Sequence, residues 1–97
     1  MSWSLSPEAE EEMDQAAAYY QSQASVSVAD AFLDEFERAA RLIVEYPGLG
    51  SPASRGRRLM PLRRFPFSLL YRVEGDEIRI SAVAHQRRRP GYWRSRA

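Results

Sequence analysis

FSLLYRVEGDEIRISAVAH, residues 67–85, contains two runs in which apolar side chains occupy every second position. Such an alternation is typical of β-strands with one buried face, and it predicts a β-hairpin. The first run alternates Phe67, Leu69, Tyr71 and Val73 with Ser68, Leu70 and Arg72, and the second alternates Ile78, Ile80, Ala82 and Ala84 with Arg79, Ser81, Val83 and His85. Both apolar sets share one face only if the loop has an even number of residues, as Gly75-Asp76 provides.

The register of this hairpin determines what lies on its second face. With a two-residue loop, Tyr71 lies opposite Ile80 and Arg72 lies opposite Arg79. The face directed away from the core then collects Arg72, Arg79 and, further along, His85. The sequence therefore predicts a cationic outer face.

Upstream of the hairpin the pattern is helical. Ser6-Pro7-Glu8 supplies a capping hydroxyl, a proline suited to the first turn and an acid that favours the positive end of a helix. After a break predicted at Gln21 to Ser27, the segment Ser27 to Asp30 resembles a capping box and starts a second helix. Pro47-Gly48 ends that helix. Apolar residues recur at steps of three and four in both segments, which predicts a helical hairpin with these two stripes: Ala9, Met13, Ala16, Ala17, Tyr20 and Ala24, then Phe32, Phe36, Ala39, Ala40 and Ile43.

The remaining segments complete one domain. Residues 49–56 are rich in glycine, serine and proline and predict a loop, whereas 57–62 predict a short strand interrupted by Pro61. Trp3 to Leu5 can add an edge strand. Helices followed by strands predict an α+β fold over residues 1–97, with the helical hairpin packed on one face of a small antiparallel sheet.

Composition excludes several kinds of chemistry. The chain contains no cysteine and one histidine, so disulfides, thiol nucleophiles and Cys-ligated zinc are excluded. We therefore expect no cofactor and no metal. No apolar run is long enough to cross a bilayer or to direct export, so we expect a soluble cytoplasmic protein.

Charge is distributed unevenly along the chain. Residues 1–46 hold ten acids and two arginines (2 − 10 = −8), whereas residues 47–97 hold three acids and twelve arginines (12 − 3 = +9). A basic half of this kind indicates nucleic acid, an acidic protein segment, or both as partners.

Four ordered groups of residues carry a resemblance to a known family. They are Ser-Pro-Glu-Ala at 6–9, Pro-Gly-Leu-Gly at 47–50, Phe65-Pro66-Phe67 leading to Tyr71-Arg72-Val73, and His85 followed by an arginine run and Tyr92-Trp93. The chain resembles the RelE/ParE family of small bacterial toxins over nearly its whole length. The resemblance implies a type II toxin, with a helical hairpin on a small antiparallel sheet. It also implies an antitoxin whose extended or helical tail wraps the toxin in a hetero-oligomer.

Two activities occur in this family. RelE members cleave messenger RNA on the ribosome, and their phosphate-binding arginine falls on Ser68 of this chain. Arg72 lies four residues along the strand, roughly 13 Å away, and cannot replace it. ParE members bind DNA gyrase and trap its cleaved-DNA intermediate, and they resemble Phe-Pro-x-x-x-x-Tyr-Arg-Val followed by a valine-rich strand, histidine and arginines. The resemblance therefore implies a non-enzymatic gyrase inhibitor neutralised by a ParD-like antitoxin, with direct nucleic-acid binding secondary.

Two alternatives stay open. The first is a metal-independent, ribosome-dependent endoribonuclease that would use Arg57, Arg58, His85 and Tyr92. The arginines around the first inner strand, Arg55, Arg57, Arg58, Arg63 and Arg64, keep this alternative open. The second is a non-toxic relative that binds an antitoxin.

Candidate binding residues lie on the outer face and near the C-terminus. Aromatic residues interleaved with arginine are favoured at protein interfaces. We expect His85 to anchor the C-terminal segment by hydrogen bonds. Glu10 to Glu12 and Asp14 are expected to form a solvated helix face, with contact to a basic partner as the alternative. No catalytic residue is expected with the gyrase inhibitor, and the predicted partner-binding residues are Arg72, Arg79, His85, Arg88, Arg89, Tyr92, Trp93 and Arg94.

Overall fold

The computed structural model describes residues 1–97 and contains the predicted helical hairpin. Helix α1 spans Pro7–Gln23, and the Ser6 hydroxyl accepts a hydrogen bond from the amide of Ala9 at 3.1 Å. Helix α2 spans Val26–Glu45. It is capped by Ser25, not by Ser27 as predicted, because the Ser25 hydroxyl accepts from the amide of Val28 at 3.1 Å. The predicted break was therefore too long, since only residues 24 and 25 separate the helices.

Five strands form one sheet in the order β1-β5-β4-β3-β2. Their bounds are Ser2–Leu5 (β1), Ser51–Pro52 (β2), Arg58–Pro61 (β3), Phe67–Glu74 (β4) and Glu77–His85 (β5). Strands β2 to β5 pair antiparallel, as predicted, whereas β1 lies at the edge and pairs parallel to β5. The edge strand is confirmed, and the sheet is mixed. The two-residue strand β2 was predicted as loop.

The hairpin of β4 and β5 has the predicted register near its loop. Tyr71 pairs with Ile80 and Arg72 pairs with Arg79. Gly75, the first residue of the two-residue loop, has a φ of 62°, which suits glycine in a tight hairpin turn.

A β-bulge changes the register beyond this region. Leu70 pairs with Ala82 and Tyr71 pairs with Ile80, so Ser81 has no partner on β4. One extra residue reverses the faces of every later residue on the strand. Val83 therefore packs in the core beside the helices, and His85 pairs with Phe67 on the same side. The predictions that Ala82 and Ala84 face the core, and that His85 lies on the outer face, are wrong for this reason.

The core lies between the helices and the inner face of the sheet. The predicted stripe of α2 is buried there. The rings of Tyr20, Phe32, Phe65 and Phe67 form edge-on or tilted contacts with centroids 5.2–6.4 Å apart. Such geometry suits the charge distribution of aromatic rings. Neither helix is long and apolar enough to cross a membrane.

A buried tyrosine joins the loop after α2 to the sheet. The Tyr71 hydroxyl donates to the carbonyl of Pro47 at 2.8 Å and accepts from the amide of Gly50 at 2.9 Å. A Cβ atom on Gly50 would lie 2.9 Å from that hydroxyl oxygen. Two separate motifs of the sequence, Pro-Gly-Leu-Gly and Tyr-Arg-Val, are therefore parts of one contact.

Candidate functional site

Residues 86–97, here called the tail, fold back against the face of the sheet opposite the helices, here called the outer face. The tail has no helix or strand and is built from turns, such as those joining the amide of Tyr92 to the carbonyl of Arg89 and the amide of Arg94 to the carbonyl of Gly91. Tail residues and the outer-face residues Leu59, Ser68 and Ala84 line a shared groove of about 240 Å³. The tail is thus a packed part of the domain.

Arg57 holds the tail from the sheet side. Its side chain is 1% exposed and makes five hydrogen bonds. Three of these reach the tail carbonyls of Trp93, Arg94 and Arg96 at 3.4, 3.1 and 3.0 Å, and two reach Ser54. Its guanidinium also lies 5.3 Å from the ring centroid of Trp93. Five donors in a planar fork make arginine suited to binding several carbonyls at once.

Arg57 is a buried cation without a carboxylate partner. Burial lowers the pKa of Arg57, and the charges of Arg55 and Arg72 lower it further. The carbonyl dipoles of the tail compensate part of this cost. Arg57 is therefore committed to holding the tail and presents no free guanidinium to a phosphate.

Glu12 holds the tail from the helix side. Its carboxylate accepts from the hydroxyl of Tyr92 at 2.5 Å, from both terminal nitrogens of Arg96 at 2.7 and 3.2 Å, and from Arg88 at 3.4 Å. It also accepts from the amide of Val83 at 3.1 Å, beyond the end of the β1 pairing. The Glu12 side chain is 11% exposed. The prediction that residues 10–12 form a solvated face is wrong for Glu12.

Tyr92 is the central aromatic residue of this arrangement. The guanidinium of Arg88 lies 3.6 Å from the Tyr92 ring centroid, a cation–π contact. Burial raises the pKa of Tyr92 to about 12, with the hydrogen bond to Glu12 as the next cause. A tyrosine with so high a pKa is a poor general acid or base near neutral pH.

His85 ends β5 on the helix side of the sheet. Its Nδ1 accepts from the amide of Arg87 at 3.0 Å, and its carbonyl accepts from the amide of Arg88 at 3.1 Å. The ring packs edge-on against Phe67 at 4.9 Å. The expectation that His85 anchors the C-terminal segment by hydrogen bonds is confirmed.

The two outer-face arginines of the hairpin are already engaged. Arg72 pairs with Glu74 at 2.8 Å, and Arg79 donates to the Ser4 hydroxyl and to the Leu5 carbonyl at 3.1 Å each. Arg79 therefore fixes β1 to β5. Arg72, one third exposed, retains a surface from which it can contact a partner.

The remaining predicted binding residues lie together on the tail. Trp93 is half-buried, and the side chain of Arg88 is 55% exposed. Arg89 and Arg94 are exposed, as is the neighbouring Arg87, which was not predicted to bind. On this surface exposed arginines lie beside aromatic residues that Arg57 and Glu12 hold in place.

The four residues of the nuclease alternative do not line one groove. His85 and Tyr92 line the groove beside the tail, but Arg57 and Arg58 do not. Arg57 lies beneath the tail, and Arg58 donates to the carbonyl of Gly50 at 2.8 Å. Ser68, at the position of the nuclease branch's arginine, is buried.

Sequence reasoning missed the roles of Glu12 and Arg57. Glu12 stands in a run of three glutamates, and nothing in the run distinguishes the inward-facing member except its spacing of three from Ala9 and four from Ala16. That helical spacing places Glu12 near the buried stripe and was the available signal. No group of three or more potential metal ligands occurs.

Comparisons with known proteins agree with this architecture. The family model described as ParE toxin of type II toxin-antitoxin system, parDE, matches residues 4–90. A solved structure described as the chromosomal ParDE TA system from P. aeruginosa is similar at a TM-score of 0.76 and 26% identity, covering 88% of this chain and 95% of that chain. A search of curated proteins gave no match. Because the family model spans most of its length, the chain belongs to the ParE toxin family of type II toxin–antitoxin systems.

Proposed function

We propose that this ParE-family toxin inhibits DNA gyrase by binding it through the tail, and that a ParD-like antitoxin neutralises the toxin in a hetero-oligomer. The observation that carries the proposal is the commitment of Arg57 and Tyr92 to holding the tail. Both belong to the four residues, Arg57, Arg58, His85 and Tyr92, that the ribonuclease alternative would use. The geometry therefore supports a protein that holds a macromolecule rather than one that cleaves a phosphodiester.

The chemistry of the tail supports a macromolecular partner. Half-buried aromatic residues beside exposed arginines resemble the anchors of protein interfaces, where rigid rings fill pockets and arginine forms bidentate contacts with carboxylates or phosphates. The Trp93 ring is held by Arg57 and the Tyr92 ring by Glu12. Ordering these rings before binding lowers the entropy cost of association.

A supercoiling assay tests the gyrase proposal. Purified protein is titrated into gyrase, ATP and relaxed plasmid, and supercoiling is expected to fall or cleaved complexes to accumulate. Arg89→Ala is expected to require about tenfold more protein for the same inhibition, which corresponds to a loss of ~1.4 kcal/mol. Arg63→Ala removes an exposed charge from the loop before β4 and is the control. Undisturbed gyrase together with cleavage of ribosome-bound messenger RNA would overturn the proposal in favour of the ribonuclease.

The antitoxin proposal has a separate test. The tail carries exposed arginines, and an acidic antitoxin segment would complement them. Co-expression with an acidic ParD-family antitoxin is expected to yield a stable complex and to restore gyrase activity. Harmless overexpression of the chain alone would instead indicate a non-toxic relative. A toxin that acts on gyrase would act in the cytoplasm.

A further inference from the structure

We infer that Glu12 is a positioning residue for the gyrase contact: through its carboxylate, helix α1 fixes residues 88–96 of the tail in the orientation in which they meet gyrase. The inference rests on the proposed function, but the position of the tail can be measured without gyrase. Glu12 itself is 11% exposed and lies beneath Tyr92 and Arg96, so it acts through them.

The contact differs from an ordinary surface ion pair. A carboxylate offers about four lone-pair sites, and five donors converge on the two oxygens of Glu12 at 2.5–3.4 Å. Arg96 binds with both terminal nitrogens, and its side chain is 18% exposed. Burial and bidentate geometry make such a contact much stronger than an exposed pair.

The tail needs an external support because its own hydrogen bonds are few. Its turns are joined by backbone bonds between residues three apart, with no helix or strand to fix the side chains. Arg57 binds the tail only from Trp93 onward, through three backbone carbonyls and the Trp93 ring. The orientation of Arg88 and Tyr92 therefore depends on Glu12.

Limited proteolysis of the full chain measures the position of the tail. In Glu12→Gln, trypsin cleavage after Arg87 and Arg88 is expected to be about tenfold faster than in the wild type, because a neutral amide loses the charge-assisted hydrogen bonds with Arg88 and Arg96. Glu11→Gln is the matched control. It removes the same charge from the neighbouring residue, whose side chain is bound only by Gln15 at 3.3 Å, and wild-type cleavage is expected.

The same variants are then compared for gyrase inhibition. Glu12→Gln is expected to need about tenfold more protein than Glu11→Gln. Glu12→Ala is expected to be weaker still, since glutamine keeps one acceptor oxygen, in place of either Oε1, which binds the Val83 amide, or Oε2, which binds the Tyr92 hydroxyl. If Glu12 only stabilised the domain, its substitution would lower the urea concentration at which the helices unfold. Inhibition of gyrase by the protein that remains folded would be unchanged. That result, or wild-type cleavage in Glu12→Gln, overturns the inference.

Two further comparisons cover the cases in which the Glu12 variants do not fold or the wild type does not inhibit gyrase. If the Glu12 variants do not fold, Arg96→Gln breaks the same contact from the tail, and unchanged cleavage after Arg87 and Arg88 would refute the role of Glu12. If the wild type does not inhibit gyrase at all, the proposed function and the gyrase part of the inference both fail. The cleavage rates still decide whether Glu12 positions the tail.

Discussion

Replacing Arg57 by methionine removes the buried guanidinium and keeps most of the apolar stem. Five hydrogen bonds are lost, three of them to the tail. A hydrogen bond from a charged group contributes ~1.5–3 kcal/mol, but the released carbonyls can bind water once the tail lifts. Burying the Arg57 charge without a carboxylate partner itself costs free energy, and methionine avoids this cost. The net loss of stability is therefore smaller than the sum of the lost hydrogen bonds. We expect a net loss of about 2–3 kcal/mol in the free energy of unfolding.

Thermal and urea denaturation followed by circular dichroism measure this loss. In a domain of 60–100 residues each kcal/mol shifts the melting temperature by ~4–8 °C, so Arg57→Met is expected to melt about 10–20 °C below the wild type. Arg55→Met removes an exposed charge two residues away and is expected to stay within ~0.5 kcal/mol of the wild type. Equal stability of both variants and the wild type would show that Arg57 does not hold the tail, and the description of the site would be wrong.

Three further variants test other contacts. Gly50→Ala places a Cβ atom 2.9 Å from the Tyr71 hydroxyl and is expected to cost about 1–3 kcal/mol in urea denaturation; wild-type stability would show that the loop yields freely. The hydrogen bond from Arg38 lowers the pKa of Glu35, so its stabilisation is present above the ordinary value of 4.5 and lost as pH falls through the lowered value. The difference in urea midpoint between wild type and Glu35→Gln is therefore expected to shrink on acidification, and a constant difference would contradict this. The pKa of Tyr92 is raised to about 12, so this residue binds its proton more tightly in the folded state, and stability is lost as pH rises from 10 to 12. When tyrosinate formation is followed by absorbance, Tyr92→Phe is expected to lack the titration step of highest pKa. An unchanged titration would assign that step to another tyrosine.

Local patterns were sufficient to predict most of the fold. The alternation of residues 67–85, the even loop and the helical stripes determine two helices, a hairpin and the register of Tyr71 with Ile80. Each of these follows from neighbours close in sequence. Composition also groups the arginines and aromatic residues of the tail before any contact is known, and their role in binding stays a prediction.

The errors have long-range causes. The bulge at Ser81 exchanges the faces of Val83 and His85, and no residue type at that position announces it, since serine is compatible with a regular strand. Glu12 contacts the tail across 76 to 84 residues of sequence, so its role depends on tertiary packing. Arg57 resembled its exposed neighbours in sequence because burial of a single arginine leaves no periodic signal.

We propose that the toxin acts by holding gyrase with its tail. Hydrogen exchange measured by mass spectrometry on the toxin, alone and with gyrase and DNA, tests this claim most directly. The account predicts slower exchange of the amides of residues 86–96 in the complex. Blocked supercoiling with unchanged exchange in these residues would contradict it.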